Sequence, residues 1–304
     1  MPTRRRVIVN TDAKNEADDQ FAIVHALLTP MFDVRGLIAA HYGSLRSQRS
    51  MAESRDEIDL LLRLMGLTGQ VVVADGAPRG IPDEQTPIDS EGARLILAES
   101  ELADEGDPLY VAFLGPLTDM ASAILLDPDV VRRPVIVVWI GGAPYDGIDE
   151  GLPFGPAAGA RPRIEFNLSN DIAAANVVFD SGIQVWQVPS NVYSQVSVSY
   201  TELDARVAPH GELGAYLVDQ LKSWNATWHR EPIESRSLGD SPAISLMMYP
   251  RGGSFRTRPS SRFAPDGAYV PGRGNPIRVA EQVDVRFLLE DMFHKIQRFH
   301  SPHH

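Results

Sequence analysis

The sequence predicts an α/β protein built on a mostly parallel, doubly wound β-sheet with helices on both of its faces. Short apolar runs rich in β-branched residues alternate with helical patterns through the first two thirds of the 304 residues. The most apolar run, residues 134–140 (PVIVVWI), is nearly continuous rather than alternating. Because continuous apolar strands are typical of sheets buried on both faces, this pattern favours parallel strands joined by helices.

The predicted elements follow one another in strand–helix order. Residues 7–9 form the first strand, and the helix after it carries apolar residues between positions 21 and 28. The later strands are predicted over residues 34–40, 70–74, 109–114, 134–140 and 183–188, and the intervening helices over residues 46–67, 90–100, 120–126 and 171–179. This order is typical of βαβ units, whose strands run parallel.

The last third of the chain has a mainly helical pattern. Helices are predicted over residues 194–230, 240–248 and 283–299. Residues 250–274, rich in Gly, Pro, Ser and Arg, are predicted to form a long surface connection or a short hairpin. We expect one domain over residues 1–304, made of an α/β core (1–190), a helical part that completes the site (191–299) and a tail (300–304).

Composition excludes several classes of protein. The formal net charge is −12 and the one basic cluster is residues 4–6, which argues against a nucleic-acid partner. The absence of cysteine excludes disulfides, thiolate nucleophiles and cysteine–zinc sites. No apolar run approaches the roughly 20 residues of a membrane span, and only three apolar residues follow the basic start, too few for a signal peptide. We therefore expect a soluble, cytoplasmic protein without a membrane partner.

An acidic loop joins the first strand to the first helix, with five polar side chains at Asp12, Asn15, Glu16, Asp18 and Asp19. In open α/β sheets, ligands bind beyond the carboxyl ends of the strands, where this loop lies. Its four carboxylates repel one another unless a cation or solvent offsets their charge, and calcium prefers such oxygen ligands. The alternative is that the closing Asp pair only caps the helix. An EF-hand fits poorly because the loop lacks the required glycine.

The loop resembles the D-x-D-x-x-x-D-D signature of the nucleoside hydrolases, the inosine-uridine-preferring N-ribohydrolase family. Asn10 stands at the first Asp of that pattern, Asp12 at the second, and Asp18 and Asp19 at the closing pair. The loop is two residues longer than the pattern, and we place the insertion within residues 13–17. A haloacid-dehalogenase-type phosphatase is excluded because an Asn occupies the position of its nucleophilic Asp.

Four further segments resemble the same family in the same order. They are residues 115–119 (GPLTD, family G-P-L-T-N), 137–142 (VVWIGG), 165–167 (EFN) and 238–242 (LGDSP, family H-D-P or H-D-A). Each segment alone has an ordinary explanation, such as a turn or a helix cap. Their common order along most of the chain favours a divergent member of the family, with the family's sheet and a nucleoside as its small-molecule partner.

The resemblance implies a Ca²⁺ cofactor. Its ligands would be the carboxylates of Asp12, Asp19 and Asp240 and the backbone carbonyl of Thr118. Asp12 would also act as the catalytic base, accepting the proton of the water that attacks the sugar.

The same resemblance implies the sugar contacts. Asp18, aided by Asn15 or Glu16, would hold the ribose diol. Glu165 and Asn167 would hold the other side of the ring, where their charge and dipole favour a positively charged transition state.

The leaving-group side departs from the family pattern. Gly239 replaces a His beside the calcium Asp, and residues 89–90 (Asp-Ser) lie where some members have a His. Ser44 takes the place of a sugar-binding Asn. The residue that protonates the leaving base is therefore not identified.

Three histidines are candidates for an acid that acts near neutral pH. His41 follows the second strand and is the best-placed candidate for contact with the substrate, and His229 is the second candidate. For both, a packing or surface role is the alternative. His25 falls on the apolar face of the first helix and is expected to be structural.

We expect calcium-dependent hydrolysis of the N-glycosidic bond of a ribonucleoside or related ribosyl compound. One alternative is a calcium-dependent sugar or nucleoside-binding protein without efficient turnover, which the replaced His positions suggest. Another keeps hydrolysis but changes the substrate to a modified nucleoside or another ribosyl compound. The resemblance also implies a homo-oligomer.

Overall fold

The structure is a computed structural model that describes residues 4–145, 164–228 and 232–301. Its strands are β1 (Arg5–Thr11), β2 (Phe32–Ala39), β3 (Val73–Asp75), β4 (Leu109–Phe113), β5 (Val135–Ile140), β6 (Gln184–Val188), β7 (Ser197–Ser199), β8 (Ser235–Ser237), β9 (Gly253–Phe263) and β10 (Tyr269–Val283). Eight of them form one sheet in the order β3-β2-β1-β4-β5-β6-β10-β9, while β7 and β8 form a small antiparallel pair. Within the large sheet, only β9 and β10 pair antiparallel.

Helices cover both faces of the large sheet. They are α1 (Asp19–Leu27), α2 (Ser50–Leu64), α3 (Glu91–Glu101), α4 (Thr118–Leu126), α5 (Phe166–Asn170), α6 (Ile172–Ser181), α7 (Ser190–Tyr193), α8 (Tyr200–Arg206), α9 (Gly211–Trp228), α10 (Ser241–Met248) and α11 (Val285–His300). One apolar core joins the sheet to α1, α2, α9, α10 and α11, and a second joins its other face to α3, α4 and α6. The predicted mostly parallel α/β sheet is confirmed.

The segment predicted as a surface connection or short hairpin is instead part of the sheet. β9 and β10 form a long hairpin, and β10 pairs in parallel with β6 through Arg278 opposite Trp186. The prediction underestimated it because Pro259, Pro271 and Pro276 are unfavourable in central strands, yet edge strands and irregular registers tolerate proline. The C-terminal part therefore contributes two strands to the sheet beside its helices.

Sheet order brings the ends of three neighbouring strands together. β1 lies between β2 and β4, and β4 lies beside β5, all in parallel. The residues that follow β1, β4 and β5 therefore meet at one edge of the sheet. Among the described helices, none has the length and apolar character needed to cross a membrane.

Candidate active site

The acidic loop forms a tight, buried turn at the end of β1. The Asn15 amide donates to the Asp12 carbonyl at 2.8 Å, and Gln20 and Gln220 hold the backbone carbonyls of Ala13 and Ala17 at 2.6 and 2.8 Å. The predicted two-residue insertion is thus fixed from both sides by helices α1 and α9. The acidic side chains of the fixed loop line one cavity.

Three aspartates from two elements meet beside this loop. The carboxylates of Asp18, Asp19 and Asp240 place one oxygen each within 4.8 Å of the others, and all three residues are buried. Asp12 is 1 % exposed and lines the same cavity, and its Oδ2 is buried without a hydrogen-bond partner among the described residues. A buried carboxylate oxygen without a donor is costly, so this set is incomplete as it stands.

The alternative, in which these aspartates only cap helices, is not supported for Asp18 or for Asp240. Asp18 precedes α1 and Asp240 precedes α10, yet neither side chain makes a capping hydrogen bond. Both helix N-termini stabilise negative charge, and each of them carries one of these two carboxylates. Their carboxylates therefore belong to the aspartate cluster, in which Asp240 shares a hydrogen bond with Asp19.

Burial changes the acidity of all four carboxylates. Burial raises the pKa of Asp18 to about 6, although the positive charge of Arg236 lowers it. Burial and repulsion from Asp18 together raise the pKa of Asp19 to about 8. Burial and repulsion within the cluster also raise the pKa of Asp12 and of Asp240 well above the ordinary range. Such a cluster needs either protons or a cation, and all-oxygen donors suit a hard cation.

A glycine allows Asp12 to reach this position. A Cβ on Gly115, the residue after the end of β4 and Leu114, would lie 2.8 Å from the Asp12 Cγ. The G-P turn predicted from the sequence therefore has a steric role here: it leaves room for the carboxylate.

The predicted sugar-side residues line the same cavity as the aspartates. Glu165 accepts hydrogen bonds from the amides of Gly142 and Leu168, both at 2.9 Å, and from the Tyr193 hydroxyl at 3.0 Å. Burial raises the pKa of Glu165, whereas these donors lower it. Asn167 uses both amide hydrogens on the carbonyls of Leu114 (2.7 Å) and Ile140 (2.9 Å), which leaves its oxygen for a ligand.

Two residues predicted for the site lie outside the lining of this cavity. Thr118 and His41 are absent from the described residues that line the cavity. The His41 Nδ1 accepts from the Gly43 amide at 3.1 Å, so its Nε2 carries the hydrogen that is donated to the Thr118 hydroxyl at 2.8 Å. That hydroxyl donates to Asp171 at 2.7 Å. Burial lowers the pKa of His41 to about 4, so the imidazole is neutral and structural.

Leu114 directly follows β4 and precedes Thr118 in the chain. It lines the cavity beside the aspartates, whereas Thr118 begins α4. No side-chain signal could have identified Leu114, because a backbone carbonyl ligand has no sequence signature. His229, the second candidate histidine, lies outside the described residues.

Two departures from the family pattern are a single structural feature. The Asn10 amide donates to the Asp119 carboxylate at 2.8 Å, and both side chains are buried beneath the acidic loop. The family pattern has Asp at the first position and Asn at the second, so here the two residue types are exchanged. Asp119 also accepts from the Ala77 amide (2.9 Å) and the Ser90 hydroxyl (2.6 Å).

The cavity beside the aspartates is small, with a volume of about 70 Å³, and a larger cavity of about 320 Å³ shares part of its wall. Both are lined by Glu16, Asp18, Tyr193 and Gly239. Nucleoside-sized ligands need roughly 300 Å³ or more, so a nucleoside would need both spaces.

A family model described as inosine-uridine preferring nucleoside hydrolase matches residues 7–289. The chain belongs to this family. It is therefore a hydrolase that acts on N-glycosyl bonds. The family is metal-dependent, and the buried aspartate cluster could bind a metal ion.

Curated relatives carry the same activity in their names at modest identity. A probable uridine nucleosidase 2 of Arabidopsis thaliana is 27% identical over 241 residues, covering 70% of this chain and 68% of the relative. The pyrimidine-specific ribonucleoside hydrolase RihA of Salmonella paratyphi A is 24% identical over 240 residues, covering 74% and 72%.

Solved structures share the fold. A plant nucleoside hydrolase, PpNRh1, superimposes with a TM-score of 0.76 at 22% identity, covering 98% of this chain and 99% of that one. A purine-preferring ribonucleoside hydrolase from Gardnerella vaginalis gives 0.78 at 19% identity, covering 98% and 100%. These names span pyrimidine and purine substrates, so they do not specify the base for this chain.

Proposed function

We propose that this nucleoside hydrolase cleaves ribonucleosides in a Ca²⁺-dependent reaction with Asp12 as the base. The observation that carries the proposal is the set of four buried carboxylates with raised pKa values, one of which has an oxygen without a partner. Asp12, Asp19, Asp240 and the Leu114 carbonyl would hold the ion, with Leu114 in place of Thr118. When bound, calcium supplies the positive charge that offsets these carboxylates and orients water and the ribose diol.

The chain's own residues supply the remaining steps. Asp12 accepts a proton as water attacks the anomeric carbon, and Asp18 accepts hydrogen bonds from the diol. Glu165 and the Asn167 oxygen hold the hydroxymethyl side of the ring. Their negative charge and dipole stabilise the oxocarbenium-like transition state.

The inserted turn shapes the rim of this site. Arg46 donates to the Asn15 carbonyl at 2.9 Å and also to its side-chain oxygen, and the Trp224 indole donates to the same carbonyl at 3.0 Å. The side-chain amide nitrogen of Asn15 is then the group that we propose for contact with the sugar. The homo-oligomeric state, the cytoplasmic location and the single-domain organisation stay predictions of the sequence.

Hydrolysis is tested by incubating the purified protein with uridine or inosine and measuring released reducing sugar. We expect release with calcium and loss of release with an excess of chelator, restored by added calcium. Binding of a nucleoside without any release would instead support the binding-protein alternative.

Calcium affinity is expected to rise with pH. In the metal-free protein, the pKa of Asp19 is raised to about 8 and those of Asp12 and Asp240 are raised well above the ordinary range, so protons compete with the ion for the same oxygens. Titration calorimetry of the metal-stripped protein should show affinity falling by about tenfold for each proton displaced per pH unit between pH 8 and pH 5. Affinity that does not change with pH would contradict the ligand assignment.

A further inference from the structure

The larger of these two neighbouring cavities has an arginine in its wall. Arg236, in β8, lines this cavity together with Tyr193, Ser194 and Ser237. Its guanidinium lies 4.2 Å from the centre of the Trp224 ring and donates to the Glu16 carboxylate. The Arg236 side chain is only 13% exposed, and its Nε is buried without a hydrogen-bond partner among the described residues. The side chain therefore holds a fixed cation and a spare donor.

We propose that this cavity receives the departing base and that Arg236 stabilises it as an anion. The proposal rests on the function proposed above and adds to it the class of leaving group. Glu16 and Trp224 hold the guanidinium in place, and Glu16 belongs to the inserted turn that distinguishes this loop from the family pattern. A preorganised donor of this kind acts where negative charge develops.

An imidazole acid is missing from this side of the described site. No histidine lines either cavity within residues 4–145, 164–228 and 232–301. The family's histidine position is Gly239, where a Cβ would lie 3.1 Å from the Tyr193 ring and 3.2 Å from the Asp18 carboxylate. The Tyr193 hydroxyl donates to Glu165. Arginine keeps its protons in proteins, so Arg236 acts by charge and hydrogen bonding and not as an acid.

The bond changes balance without a proton donor at the base. The C1′–N bond breaks and its electron pair stays on the base, where it delocalises onto a ring carbonyl oxygen that accepts from the guanidinium. The water oxygen bonds to C1′, and its proton passes to Asp12. The anionic base takes a proton from solvent after it departs.

This mechanism selects the leaving group by its chemistry. Bases that spread negative charge onto a carbonyl oxygen, such as uracil and hypoxanthine, fit the site. Adenine has no carbonyl oxygen and departs poorly without ring protonation. We expect uridine and inosine to be hydrolysed well and adenosine at least about 100-fold less well.

The test compares Arg236→Gln with wild type on uridine, 5-fluorouridine and p-nitrophenyl β-D-ribofuranoside, whose leaving groups are increasingly stable as anions. We expect R236Q to lose about 100-fold in kcat/KM on uridine, less on 5-fluorouridine and under about fivefold on the p-nitrophenyl compound. Arg236→Lys, which keeps the charge without the planar donors, should fall between R236Q and wild type. Circular dichroism verifies folding.

Arg206→Gln is the matched control. Arg206 also lies over an aromatic ring, that of Phe293 at 5.1 Å, and pairs with Glu202 and Glu290, but it does not line either cavity. R206Q should keep the wild-type dependence on the leaving group. An equal loss on all three substrates in R236Q, or a selective loss in His229→Gln instead, would overturn the proposal. Failure of the wild type to release sugar from any substrate would count against the proposed function itself.

Discussion

Asp12→Asn is expected to abolish nucleoside hydrolysis, lowering kcat by about 10⁴-fold, while the protein stays folded. The substitution removes the proton acceptor, whose loss alone typically costs about 10²–10⁴-fold, and it weakens the metal site as well. It also removes a buried carboxyl group whose ionisation is opposed by burial and by repulsion from the neighbouring carboxylates, which together raise its pKa. The Tm of the metal-free protein should therefore rise, by about 2–4 °C for each kcal/mol of repulsion relieved.

The two opposite effects are measured by steady-state kinetics on uridine and by calorimetry in chelator. Asp291→Asn is the matched control, since Asp291 binds His25 at 2.7 Å and Lys295 away from the cavity. D291N should lose stability and keep activity within about twofold. Activity of D12N within tenfold of wild type would show that Asp12 is not the base.

Asn10→Asp is expected to be strongly destabilising, by about 3–5 kcal/mol, because it opposes two carboxylates in a fully buried place. Asp119→Asn should cost less, because an Asn oxygen can still accept from Ala77 and Ser90. The double variant N10D/D119N restores one donor and one acceptor in the arrangement of the family pattern. We expect it to recover about 2–3 kcal/mol relative to the sum of the single losses.

Urea unfolding of wild type, both single variants and the double variant completes this cycle. The pair lies beneath the acidic loop, and the Asn10 carbonyl accepts from the Leu114 amide at 2.9 Å. Recovery of stability should therefore be accompanied by recovery of calcium affinity. If the losses in stability simply add, the two departures from the family pattern are independent, and the exchange of Asn and Asp does not account for the stability of the pair.

The parallel sheet could be predicted because buried strands such as β5 leave a direct signal in the sequence. The β9–β10 hairpin could not, because its exposed arginines and prolines conceal two strands, of which β10 is placed by pairing with β6 and the edge strand β9 by pairing with β10. Local sequence carries periodicity, but it does not carry the partner of an edge strand.

The acidic half of the site was predictable for a similar reason: Asp12, Asp18 and Asp19 occur in one short loop. Leu114 was not, since the backbone carbonyl that we propose as a ligand leaves no side-chain signal in the sequence. The pairing of Arg236 with Glu16 joins residues that are 220 positions apart, and no local pattern indicates it. His41 was placed correctly at a strand end, but its hydrogen bonds turn it toward Thr118 and away from the cavity.

A crystal structure of the protein with calcium, with the ion located by anomalous scattering, tests the central claim most directly. We expect one cation with oxygen ligands from Asp12, Asp19 and Asp240 and from the Leu114 carbonyl, at about 2.3–2.6 Å. A cation elsewhere, or one without ligands from both the acidic loop and Asp240, would contradict the account.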